Sequence, residues 1–219
     1  MDRVFGLEIP RTLEEICRPD RMALLVYDMQ VGVLRQIANG DEILDRVLRV
    51  LEAARRGGFR VLFSRHLSMP RELMGVFQHR MAMAWQRVDS PDAVTPWFLR
   101  ESEAFELVPQ LAPRPSEAVL DKITMSAFAG TPLDIVLRDC AMVAVAMVGV
   151  ALEVGIEPTV RHAADLGYIP VVITDACGYG QAEAARRSLA SLEFSGDAVL
   201  TEVDAVCDLL ARRSAAAPD

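Results

Sequence analysis

Residues 141–167 read AMVAVAMVGVALEVGIEPTVRHAADLG, and their change of character halfway along decides the fold. The first half, Ala141 to Gly149, is apolar without interruption, the pattern of a central strand covered by helices on both faces. The second half, Gly155 to Leu166, spaces its apolar residues as a helix does and stops at Gly167, which can adopt the left-handed conformation that ends a helix. Pro158 is tolerated because it lies in the first turn, where no intrahelical donor is lost. A buried strand that runs straight into a helix is half of a parallel crossover unit.

The same alternation extends in both directions. Upstream, Ala23 to Asp28 (ALLVYD) is a buried strand ending on a carboxylate. Asn39-Gly40 marks a turn, and Asp41 is expected to cap a helix carrying Ile43, Leu44, Val47, Leu48 and Leu51 as far as Gly57-Gly58. Arg60 to Ser64 is the second strand, and Pro70 to Pro96 reads as a helix with a long irregular excursion. Glu103 to Leu111 is expected to form a short helix ended by Pro113 and Pro115, before a third strand from Glu117 to Asp121. Thr131-Pro132-Leu133-Asp134 is a complete helix start: cap hydroxyl, proline at the first position, acid in the first turn. Downstream, Ile169 to Asp175 is a strand, Gln181 to Phe194 a helix and Ala198 to Leu200 a short strand, and Thr201-x-x-Asp204 opens a last helix. This order predicts an α/β fold, a doubly wound three-layer sandwich with a six-stranded, mainly parallel sheet. One domain is expected over residues 1–219, with residues 1–20 as an extension and Ser214 to Asp219 as a frayed tail.

Composition narrows the function. Of the 219 residues 52% are hydrophobic and 25% charged, which is globular, and the net charge of −8 repels a phosphate backbone, so no nucleic-acid partner is predicted. The apolar stretch Ala141 to Leu152 is too short to span a bilayer, so no membrane role is predicted. Residues 1–20 lack the basic start and apolar middle of a secretory leader, and Cys17, Cys140, Cys177 and Cys207 are too scattered for a zinc cluster or disulfide framework; a cytoplasmic protein with free thiols is expected. His66 and His79 lie thirteen residues apart without a carboxylate at ligand spacing, and His162 falls on a helix, so no metal site is predicted.

In an open α/β sheet, ligands bind beyond the carboxyl ends of the strands where strand order reverses. The residues at those ends are Asp28, Ser64 to His66, Lys122, the loop after Gly149, and Asp175. A carboxylate at a buried strand end needs a partner, and Lys122 can supply it; a salt bridge that only closes a loop is the plainer alternative. Backbone N–H groups entering the helix at Gly155 could meet an anion. Met81, Met83, Trp85, Trp97 and Phe98 are candidates for a pocket wall, although such residues more often fill a core or a subunit interface. Cys177 has no histidine nearby in sequence and reads as a structural thiol. There is no GxSxG, Walker loop or GxGxxG after the first strand, and no cofactor is implied.

Taken together, Ala23 to Gln30 (ALLVYDMQ), Lys122 followed by Ser126-Ala-Phe128 and Gly130 to Leu133, Gly149-Val-Ala151, Thr159 to Tyr168 (TVRHAADLGY) and Asp175-Ala176 resemble the isochorismatase-like, or cysteine hydrolase, superfamily from about residue 20 to 200. The resemblance implies a six-stranded parallel sheet, a cofactor-free site and a homo-oligomer, dimer or tetramer. It carries a catalytic aspartate and lysine onto Asp28 and Lys122, a typically cis peptide with an oxyanion hole onto Val150-Ala151, and the nucleophilic cysteine onto position 155. Position 155 is glycine, in the context Val154-Gly155-Ile156-Glu157, so a thioester mechanism is not expected. Isochorismatases proper also carry glycine there, and in them the aspartate is thought to protonate a vinyl ether; TVRHAADLGY lies closer to the amidase side. Gln30, His66, Trp85 and Phe128 are the substrate-binding candidates.

Two readings follow. One is a hydrolase of a small carboxylated metabolite that uses Asp28 as proton shuttle, with Lys122 orienting it and binding anionic charge. The alternative is a catalytically silent relative that binds a small ligand or stabilises an assembly. A catalytic Cys177 is the least favoured, because it would have to reach the crevice from beyond strand five.

Overall fold

A computed structural model describes residues 1–214, with the side chains of the last helical turn left aside. The N-terminal extension forms a hairpin, β1 (Asp2–Val4) with β2 (Leu7–Ile9), and a short helix α1 (Leu13–Ile16). Six strands then build the main sheet: β3 (Met22–Tyr27), β4 (Arg60–His66), β5 (Ala118–Lys122), β6 (Ala144–Val150), β7 (Ile169–Gly178) and β8 (Val199–Thr201). Their order is β5-β4-β3-β6-β7-β8, and every neighbouring pair is parallel. The chain thus starts at the centre, winds to one edge, returns beside β3 and winds to the other, so order reverses between β3 and β6. That is the doubly wound α/β sandwich expected from sequence.

The helices are α2 (Val31–Leu34), α3 (Gly40–Arg56), α4 (Val76–Gln86), α5 (Leu133–Asp139), α6 (Glu157–Asp165), α7 (Ala182–Ser195) and α8 (Val203–Ser214). All of β3 and β6 is buried, because both faces are covered. Side chains alternate along β3: Met22, Leu24 and Val26 pack with α3 and α8, while Ala23, Leu25 and Tyr27 pack with α5, α6 and α7. On α3, Ile43, Leu44, Val47, Val50 and Leu51 form the buried stripe, each worth about 1.5–3 kcal/mol on burial. Acids at its first turn and arginines at its last suit the helix dipole.

Several boundaries differ from expectation for local reasons. Asn39 takes the cap position of α3 and Asp41 lies inside its first turn. Residues 103–111 form two separate 3-10 turns, Glu103–Phe105 and Pro109–Leu111, because the segment between them is drawn into extended pairing: the Val31 N–H donates to Glu106 O (2.8 Å) and the Val108 N–H to Met29 O (3.0 Å). Pro132, not Thr131, takes the cap position of α5, and the Thr131 hydroxyl accepts the Leu133 N–H at 3.2 Å from one residue further out. Strand β7 continues to Gly178, kept in the sheet by Gly149 and Val150 after a register shift. No helix among the described residues is long and apolar enough to cross a membrane. Beyond Ser214, the expected frayed tail lies outside the described residues.

Candidate active site

The reversal between β3 and β6 places Asp28 and Ala151 side by side at the carboxyl ends of the two central strands. They border a cavity of about 540 Å³ that is also lined by Tyr27, His66, Trp85, Arg87, Trp97 and Gly155. Asp28 has φ +46°, a conformation few non-glycine residues adopt, and it turns the side chain off the end of β3. Its Oδ1 accepts from Ser64 Oγ and its Oδ2 from Lys122 Nζ, each at 2.6 Å. Register explains this convergence: β4 lies between β3 and β5, with Ser64 near the end of one strand and Lys122 closing the next.

Lys122 has a side chain with no exposed surface. Besides Asp28, its ammonium donates to Thr124 O (3.1 Å) and lies over the Tyr27 ring at 4.3 Å. Burial lowers its pKa from the ordinary lysine value, against the opposing pull of Asp28. One part of the expected role is not seen in this arrangement: Lys122 is bonded to Asp28, but its own side chain does not line the cavity. The imidazole of His66 does line it, and burial first, then the Lys122 charge, hold its pKa below the usual 6.5.

Gln30 is fully buried and stands behind the wall. Its Oε1 accepts the His66 N–H (2.6 Å), and its Nε2 donates to His66 O (3.0 Å) and Phe105 O (2.8 Å). Its amide is thus bonded to the backbone at His66 and Phe105, and its side chain does not line the cavity. Trp85, on α4, lines the cavity and is half exposed. Phe128 does not line it: its ring is buried against Tyr168, with centroids 5.7 Å apart, because the Ser126–Phe128 turn folds onto the outer helix layer. Cys177 lies inside β7 with its Sγ 3.8 Å from Met147 O, and burial pushes its thiol far up, the state of an inert side chain.

Val150-Ala151 is a cis peptide. Beyond it the chain makes one π-helical turn, Leu152–Ile156, before α6, so Gly155 is not at a free helix start. The N–H groups of Val154, Gly155 and Ile156 all converge on Ala151 O, at 3.3, 3.0 and 3.1 Å. The Gly155 N–H is thereby occupied, which corrects the expectation that it faces a ligand as a donor. Arg87 and Tyr27 were not anticipated from sequence: Arg87 follows α4 in a left-handed turn, and nothing about an exposed arginine in an irregular stretch signals a cavity wall. Among the described residues, no group of three His, Cys, Asp or Glu side chains stands close enough to hold a metal.

Comparison with known proteins agrees with this architecture. The isochorismatase domain matches residues 22–204. Ureidoacrylate amidohydrolase RutB of Serratia proteamaculans is 27% identical over 94% of this chain and 89% of that protein. Among solved structures, a cysteine hydrolase from Pseudomonas syringae pv. phaseolicola superposes with a TM-score of 0.75 at 23% identity, over 90% of this chain and 96% of that one. N-carbamoylsarcosine amidase from Thermoplasma acidophilum does so with a TM-score of 0.69 at 19% identity, over 84% and 97%. At those identities the two structures speak for the fold, while the domain match covers most of the sequence. This chain belongs to the isochorismatase-domain family.

Proposed function

We propose that this protein hydrolyses a small, carboxylated metabolite without a covalent thioester, and that Asp28 moves the proton. The observation that carries this reading is the lining of the cavity: Asp28 is its only acidic side chain among the described residues, and position 155 offers no nucleophilic atom. Water would attack the substrate directly. Asp28 would exchange one proton with the attacking water and the leaving group, while Ser64 and Lys122 hold the carboxyl group in place. Arg87 supports the substrate class: it lines the cavity and has no acidic partner among the described residues, so its guanidinium is available to a carboxylate. His66, with its lowered pKa, adds a neutral hydrogen-bonding group on the same wall.

The test is a substrate panel of vinyl ethers, amides and ureido acids, run with the natural protein and with Asp28→Asn. We expect turnover of at least one class and a loss of about 10²–10⁴-fold in the variant, the range general acid-base groups supply. Undiminished turnover in Asp28→Asn would refute the assignment. The bare position at 155 favours one second reading, a silent relative that binds a ligand; it predicts no turnover of any panel member, with some member still raising the melting temperature. A homo-oligomer is part of the proposal, because Leu73, Val76 and Phe77 are apolar and exposed at the start of α4.

A further inference from the structure

The alternation of β3 decides what stands opposite Gly155. Tyr27 points into the layer of α5, α6 and α7, and it is the largest of the fully buried side chains. Its position is held from two sides: the phenol donates to Met125 O, and the Lys122 ammonium sits over the ring at 4.3 Å. A Cβ placed on Gly155 would lie 2.5 Å from both Cε1 and Cζ of Tyr27, and closer still to Oη. Carbon atoms in ordinary contact keep about 3.5–4.0 Å apart. With Tyr27 only 1% exposed, moving the ring aside would break its hydrogen bond to Met125 O and its contact with the Lys122 ammonium.

We infer that Tyr27 and Gly155 form a two-residue lock, in which the Tyr27 ring fills the space that any side chain at 155 would need. Tyr27, and not Gly155 alone, then determines that this cavity contains no thiol chemistry, and no single substitution at 155 can introduce it. The cavity wall presents a phenol where a reactive group would stand. Burial pushes that phenol well above the ordinary tyrosine value, so it stays protonated and does not take over as a nucleophile. The inference rests on the reading that residues 150–155 border the substrate cavity, and not on the proton role of Asp28.

Four variants test it: Gly155→Cys, Tyr27→Val, Tyr27→Val with Gly155→Cys, and Tyr27→Phe with Gly155→Cys. The readouts are the thermal midpoint and the rate of iodoacetamide alkylation at position 155, followed on its own peptide so that the four natural cysteines do not interfere. Gly155→Cys alone should unfold at a lower temperature than the natural protein. Adding Tyr27→Val should restore part of that loss and speed alkylation at least about tenfold, since a thiol reacts only where it is accessible. Adding Tyr27→Phe should restore less of both than Tyr27→Val does, because it removes Oη but leaves Cε1 and Cζ in place. The lock is refuted if Gly155→Cys alone is as stable as the natural protein and alkylated as fast as the valine double variant. It is equally refuted if that double variant is no better folded than Gly155→Cys. No substrate is involved, so failure here leaves the Asp28 experiment to stand or fall separately.

Discussion

His66 shows how burial at a single residue becomes a property of the whole protein. Its imidazole is held below the ordinary 6.5, first by burial and then by Lys122. The unfolded chain therefore binds the proton more tightly than the folded one, so stability is complete above about pH 6.5 and falls as pH drops through the lower folded value. Urea midpoints between pH 7.5 and 5 should decline in the natural protein and decline less in His66→Gln; parallel curves would remove His66 as the cause. Gln30 belongs to the same scale. Read as a ligand contact from its place in ALLVYDMQ, it spends all three of its hydrogen bonds on the backbone at His66 and Phe105. A residue two places after a catalytic candidate can face away from the cavity, and a linear motif does not record which way it faces.

Among the elements, helix ends were the least legible. The last helix was expected to be capped from within its own sequence, through Thr201 and Asp204. Its first N–H, at Val203, instead donates to Asp175 Oδ1 at 2.8 Å, across from the neighbouring strand β7. Asp175→Ala should therefore destabilise the protein by about 1 kcal/mol, the usual cost of losing such a cap, and increase amide exchange in the first turn of α8. Equal stability and unchanged exchange would show that the helix start does not depend on that carboxylate. The π turn at Leu152–Ile156 was equally invisible, because apolar spacing separates a helix from a strand but not one helical winding from another.

For the whole molecule, the exposed Leu73, Val76 and Phe77 predict self-association. Sedimentation velocity should show a species larger than the 24.1 kDa chain, and Phe77→Glu should shift it toward the monomer; a monomer in the natural protein would end that part of the proposal. Sequence alone determined the order of the six main-sheet strands and of the long helices, the parallel sheet and the strand ends where Asp28 and Lys122 sit, because burial on both faces and helical period are local patterns read along the chain. Tertiary structure decided which of those residues meet. It turned Gln30 and Lys122 away from the cavity, moved Phe128 into the core, brought Arg87 to the wall and set Tyr27 against Gly155. Those outcomes depend on packing between segments as much as 128 positions apart, such as Tyr27 and Gly155, and packing at that range leaves no periodic trace in the chain.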